Sequence, residues 1–175
     1  MLEHAGDLNQ AVLKCEALFN RFSNNPEMLN RLAREYQGGA ESSDIAVTMM
    51  KAAPGIEGIQ DMFERIYTRE EGIDKTIDFW RMISAKHPTI YLLQERLAAA
   101  LHQKGDLGKE IAVRYDLVEK HPSSPKLQYE LNQAYKKQNN REEAVAGWTR
   151  LVELYPYVNE LQDRLDEWAK GQAVE

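Results

Sequence analysis

The apolar positions of this chain return at the three- and four-residue spacing of helices, and nowhere with the sustained alternation of a strand. Leu8, Ala11, Val12, Cys15, Leu18, Phe19 and Phe22 mark a helix whose apolar stripe is wide enough for two faces. Ser23-Asn24-Asn25-Pro26 interrupts it, and Pro26 suits the first turn of a second helix carrying Leu29, Leu32, Ala33 and Tyr36. The polar, glycine-containing run from Gln37 to Ser43 reads as a loop before a short helix from Asp44 to Ala52. Beyond Pro54 the helices come in pairs. Ile59, Met62, Phe63, Ile66 and Tyr67 face inward on one, and Ile73, Ile77, Trp80 and Ile83 on the next. The second pair carries Leu93, Leu97, Ala100 and Leu101, a Gly105-Asp106 turn, then Leu107, Ile111, Leu117 and Val118. A third carries Leu127, Leu131, Ala134 and Tyr135, then Ala144, Val145, Trp148, Leu151 and Leu154. A last helix follows with Val158, Leu161, Leu165 and Trp168, which makes ten helices.

The pairs share a fixed step. Gln94-Glu95-Arg96-Leu97 returns 34 residues later as Gln128-Tyr129-Glu130-Leu131, and again as Gln162-Asp163-Arg164-Leu165. Pro54, Pro88, Pro122 and Pro156 keep the same step, as do Ile77, Ile111 and Val145. A helix pair cannot bury its apolar face alone, so a fixed period of this size marks a stacked array.

Within the copy from Gln128 to Pro156, Leu131, Tyr135, Ala144, Trp148 and Pro156 fill a pattern of large, aromatic, small, aromatic and proline positions, with Asn132 where a small residue is expected. Gln60, Phe63, Tyr67, Thr76, Trp80 and Pro88 fill a second copy, and Leu29, Leu32, Ala33 and Tyr36 the first half of another. The copy from Gln94 departs in its second helix, where Glu110 and Arg114 replace the small and aromatic residues. Together these copies resemble the tetratricopeptide repeat family. The resemblance implies an all-α, right-handed α-α superhelix of tetratricopeptide-like helix pairs with a C-terminal capping helix. As one domain over 1–175, it would comprise a half repeat at 6–23, repeats at 26–56, 57–90, 91–124 and 125–158, and a cap at 159–170. It also implies that Trp80 and Trp148 are core spacers. The phrasing Leu117-Val118-Glu119-Lys120-His121-Pro122 and Gly147 to Pro156 is further similar to repeat arrays of fungal NACHT-type signalling proteins.

In arrays of this kind the first helix of each pair lines a groove where partners lie. On the exposed side of these helices stand Arg31, Arg34, Arg65, Arg69, Arg96, Lys136 and Lys137, a set of cations on an acidic chain. At the roughly 8–10 Å spacing of packed helices, Arg65, Arg96 and Lys136 would form a ladder for an acidic or extended peptide. Asp61, Glu95 and Glu130 on the same faces are the competing local pair partners. Some members of the family grip a C-terminal carboxylate with a Lys/Asn clamp, but Asn is missing from the matching positions here.

Composition disfavours several other classes, while the binding module follows from the repeat array. With 43% hydrophobic and 29% charged residues the chain is too apolar to be disordered. A net charge of −6 and a pI of about 5.3 disfavour nucleic acid and anionic membrane as partners. The sequence contains no apolar run of membrane-spanning length and its beginning lacks a signal peptide's regions; the single Cys15 suits a reducing, cytoplasmic setting. No nucleophile elbow, phosphate loop or zinc spacing is present, so neither catalysis, a metal nor a cofactor is expected. His87 and His121 lie one period apart, too far to share an ion, and neither His4 nor His102 has an acidic partner at ligand spacing.

The ends differ. Leu161, Leu165 and Trp168 face inward on the last helix while Glu160, Asp163, Asp166 and Glu167 face out, as a cap requires. On the first helix Leu8, Val12 and Phe19 point away from the face used by Ala11, Cys15, Leu18 and Phe22, with only six residues ahead of Asp7 to cover them. That pattern fits an array cut from a longer one, or self-association through Leu8, Val12 and Phe19. The expected function is therefore a non-catalytic protein–protein interaction module that binds a protein or peptide in its groove. The alternative is an assembly segment of a larger signalling or scaffold protein, forming a homodimer through its first helix.

Overall fold

Helical spacing in the sequence becomes helix throughout the part of the chain that the computed structural model describes, residues 43–170 together with Ala17 and Arg21. Among these residues eight helices occur and no strand: α1 Ser43–Ala52, α2 Glu57–Glu71, α3 Ile73–Lys86, α4 Tyr91–Lys104, α5 Leu107–Lys120, α6 Pro125–Gln138, α7 Arg141–Leu154 and α8 Asn159–Ala169. The helices expected ahead of residue 43 lie outside the described residues. The chain divides into two compact units, Met1–Leu93 and Gln94–Glu175.

In the first unit α2 packs against α1 and α3. Met49, Met50, Ile59, Met62, Phe63 and Trp80 are wholly buried. Phe63 is the centre of an aromatic group, with the Phe79 ring centroid at 4.3 Å, Tyr67 at 4.8 Å and Trp80 at 5.0 Å. Thr76 fills the small-residue position, and its hydroxyl donates to the Gly72 carbonyl at 3.0 Å. Gly72 alone joins α2 to α3 at φ 88°, a left-handed value that a Cβ would disfavour. The Gln60 amide donates to the Pro54 carbonyl at 2.7 Å, tying α2 to the loop before it.

The second unit repeats these devices. The Gln128 amide donates to the Pro122 carbonyl at 2.7 Å, the same bond one double period later. Asp106, Ser124 and Asn140 cap α5, α6 and α7, each accepting from a backbone N–H three residues on. Leu127, Leu131, Ala134, Tyr135, Ala144, Trp148, Leu151 and Leu161 belong to one core cluster, against which Leu165 and Trp168 pack from α8. Trp80 and Trp148 are both fully buried with their indole N–H groups unpartnered, so each serves as packing volume rather than as a donor. Leu154 departs from the expected inward stripe and stands 48% exposed at the end of α7.

Candidate functional site

The exposed side of α6 follows from the register of its buried side. Leu127, Gln128, Leu131, Asn132, Ala134 and Tyr135 face the core, which leaves Lys126, Tyr129, Gln133 and Lys137 in one solvent row at helical spacing. Tyr129 is 55% exposed, a large aromatic held in water by its place in that register. Tyr129 is not among the expected binding residues, although its position four residues before Gln133 places it on this face.

Side chains from α4 and α5 meet this row. The Lys126 ammonium lies 2.7 Å from the Glu95 carboxylate and 3.9 Å from that of Glu130. Glu130 also accepts from Arg114 Nη1 at 2.6 Å, and Arg114 Nε donates to Glu110 at 2.8 Å. Glu110 is a buried carboxylate, 1% exposed, and its second oxygen lies 2.9 Å from His102 Nδ1. On the far side of that imidazole, Nε2 is 3.2 Å from the Lys137 ammonium. An ammonium can only donate, so a hydrogen bond from Lys137 needs Nε2 as the acceptor, with Nδ1–H facing Glu110.

This chain of contacts explains the irregular copy of the repeat. A carboxylate in the interior is tolerated only with charged partners that satisfy it. Arg114 stands at the aromatic position because Glu110 stands at the small one. His102 thus meets an acid through a hydrogen bond across the turn, without forming a metal-ligand group among the described residues. The Gly105-Asp106 turn reverses the chain and brings α5 alongside the end of α4, an opposition that separation along the chain does not reveal.

The α8 side of α6 is also bridged. Lys136 lies 2.6 Å from Glu167, whose carboxylate also accepts from Asn132 Nδ2 at 3.1 Å and is 3.5 Å from Arg164. The hydrogen bond from Lys136 holds the Glu167 carboxyl below its ordinary range, outweighing the opposing effect of burial. Trp168 Nε1 donates to Asn132 Oδ1 at 2.6 Å. Arg141 closes the end of α8 by donating to the carbonyls of Trp168 at 3.0 Å and Ala169 at 2.7 Å. Glu167 was expected to face out on the cap; its ion pair instead turns it back onto α6.

The structure distributes the expected binding residues as follows. Arg65 and Arg69 are exposed on α2 in the first unit, with Arg69 3.4 Å from Glu70. Arg96, Lys136 and Lys137 fall in the second unit. Arg96 is half-buried, and Lys136 is engaged by Glu167. Lys137 is exposed and, among the described residues, meets the His102 ring but no carboxylate. Arg31 and Arg34, and the self-association residues Leu8, Val12 and Phe19, lie outside the described residues. His87 is partly buried and His121 exposed. Among the described residues no group of three His, Cys, Asp or Glu side chains converges as a metal site would require, and no helix is long and apolar enough to cross a membrane.

No protein-family model matches this chain, and no curated protein does. Seven solved chains match. Among them, MamA AMB-1 is 18% identical over 86% of this chain and 84% of its own, with a TM-score of 0.48. MamA MSR-1 is 19% identical over 92% of this chain and 90% of its own, also at 0.48. A MamA mutant is 18% identical over 86% and 90%, at 0.47. Likeness at this level carries no inference about this chain's function, and the similarity to fungal NACHT-type arrays has no counterpart among these three.

Proposed function

We propose that the chain is a non-catalytic protein–protein interaction module of tetratricopeptide type, binding an acidic or extended partner segment on the exposed faces of the first helices of its pairs. The repeat type is supported by devices that return in step: Gln60 on Pro54 and Gln128 on Pro122, and Trp80 and Trp148 at equivalent buried positions. The ten-helix right-handed superhelix, the single domain over 1–175 and the repeat limits 26–56, 57–90, 91–124 and 125–158 belong to the same proposal.

The observation that carries the binding reading is the row Tyr129, Gln133 and Lys137 on α6. It combines an exposed aromatic, an amide and an ammonium that holds no carboxylate among the described residues. Exposed aromatics beside cations are the usual anchors of a recognition surface. We assign Arg96 on α4 to the same partner, and Lys136 would join only by exchanging Glu167 for a partner carboxylate. Arg65 and Arg69 give the first unit its own cationic helix face, and Arg31 and Arg34 are assigned to the preceding helix. The competing reading, self-association through Leu8, Val12 and Phe19, rests on the wide apolar stripe of the first helix.

Fluorescence anisotropy with a labelled Asp/Glu-rich peptide separates the two. Reversing Arg96→Glu and Lys137→Glu together is expected to weaken binding about tenfold, or ~1.4 kcal/mol, while light scattering gives an unchanged mass. Unaltered binding in that variant removes the assignment to this face. A loss of mass on Leu8→Asp, with no peptide binding by the parent chain, favours self-association.

A further inference from the structure

Away from the α4–α6–α8 face, a cleft of about 430 Å³ opens between α5 and α7 in the second unit. Ile111 and Ala112 from α5 and Ala146 and Gly147 from α7 give it apolar walls. Gly147 leaves room for the Tyr135 side chain at the cleft's edge: a Cβ there would lie 2.2 Å from the Tyr135 hydroxyl. The volume falls in the range of about 300–1,000 Å³ typical of binding clefts.

Two polar groups in the lining are left without partners. Arg150 is exposed, with no ion pair or hydrogen bond among the described residues. The Tyr115 hydroxyl is buried with no hydrogen-bond partner. Such a hydroxyl is unfavourable until an acceptor reaches it. Burial pushes the Tyr115 phenol up, and the charge of Arg150 acts on it in the opposite sense, which places the guanidinium near the orphan hydroxyl. Glu143, the one acid in the lining, already accepts from the Asn140 amide at 3.2 Å and leaves Arg150 uncompensated. Charge complementarity therefore calls for an occupant that brings a carboxylate beside an apolar group.

We infer that this cleft docks a segment of a partner protein in which an acidic side chain neighbours a large apolar one. The carboxylate pairs with Arg150 and accepts from the Tyr115 hydroxyl, and the apolar side chain lies against Ile111, Ala112 and Gly147. None of these groups belongs to the exposed row on α6, so the cleft stands or falls independently of the function proposed above.

The test uses the full chain, labelled with ¹⁵N and titrated with an acetylated Glu-Leu-Glu-Leu peptide, a Lys-Leu-Lys-Leu peptide and octanoate. Amide shifts at Ala112, Ala146 and Gly147 are expected with the Glu-Leu peptide alone. Arg150→Glu should weaken its binding at least tenfold and Tyr115→Phe about threefold, both with unchanged circular dichroism. Since Arg150 is exposed, its reversal leaves the core intact. Equal binding of the Lys-Leu peptide, undiminished binding to Arg150→Glu, or shifts confined to Tyr129 and Lys137 would each overturn the inference. Octanoate binding as tightly as the peptide would overturn the protein segment as occupant.

Discussion

Trp168 donates its indole N–H to Asn132 Oδ1 at 2.6 Å, joining two residues 36 apart in sequence and two helices that share a face. The same Asn132 donates to Glu167 at 3.1 Å, so one buried amide is satisfied on both sides by the last helix. That accounts for a polar residue at a position where a repeat of this kind takes a small one. Trp168→Phe keeps the ring packing and leaves Asn132 Oδ1 without its donor, which should cost about 1–2 kcal/mol. In a chain of this length that is roughly 2–8 °C in Tm. A double-mutant cycle with Asn132→Ala should show coupling above about 0.5 kcal/mol; additive losses would mean that the bond contributes nothing.

Glu110 presents the larger risk to stability. Glu110→Ala would leave Arg114, only 13% exposed, without the carboxylate on its Nε. Breaking such a buried pair typically costs about 3–5 kcal/mol. Adding Arg114→Trp restores the small-and-aromatic pair found at Ala144 and Trp148, and chemical denaturation should recover most of the loss. If the double variant is no more stable than Glu110→Ala, the charged pair is not standing in for that packing.

Gly147 sets two effects against each other. Alanine in a helix interior is worth about 0.8–1.0 kcal/mol over glycine, but its Cβ would lie 2.2 Å from the Tyr135 hydroxyl and 3.1 Å from the ring carbon that bears it. Overpacking of this kind costs about 1–3 kcal/mol, so Gly147→Ala should be destabilising on balance. In a Tyr135→Phe background the worst contact is gone, and the same change should be neutral or stabilising. Denaturation midpoints of the four proteins decide it, and an equal penalty in both backgrounds would refute the steric cause.

The helical periods were legible in the sequence because burial repeats every three to four residues whatever the partner. Asp44 to Ala52 and the helices beyond Pro54 were placed from that signal alone. Side-chain pairings were less accessible. His102 with Glu110 depends on how a turn reverses the chain, and Lys136 with Glu167 on contact between α6 and α8. Local pattern tells which face a residue occupies but not which atoms it meets there, so Lys136 read as a free cation. Tyr129 went unnamed for another reason: the binding residues expected on that face were all charged, although the register of Leu127, Leu131 and Tyr135 leaves Tyr129 outside. The ladder of Arg65, Arg96 and Lys136 draws on both compact units, Arg65 from the first and Arg96 and Lys136 from the second.

Acid should loosen the cap. The Glu167 carboxyl is held below its ordinary 4.5, first by the hydrogen bond from Lys136. A carboxyl lowered on folding stabilises above its unfolded value, and that contribution is lost as pH falls through the folded one. The Tm advantage of the parent chain over Glu167→Gln should therefore be steady from pH 7 to about 5 and shrink progressively below about 4.5. An advantage that persists unchanged at low pH would exclude the Lys136 pair as its source.

The most direct test of the binding face is an amide chemical-shift map of the full chain with a Glu-rich peptide that carries no apolar residue. Shifts should gather at Arg96, Tyr129, Gln133 and Lys137. Lys137→Glu alone should raise the Kd about threefold, part of the tenfold expected of the double reversal, while Arg150→Glu leaves it unchanged. Shifts elsewhere, or a Kd indifferent to Lys137→Glu, would contradict a partner-binding role for this face.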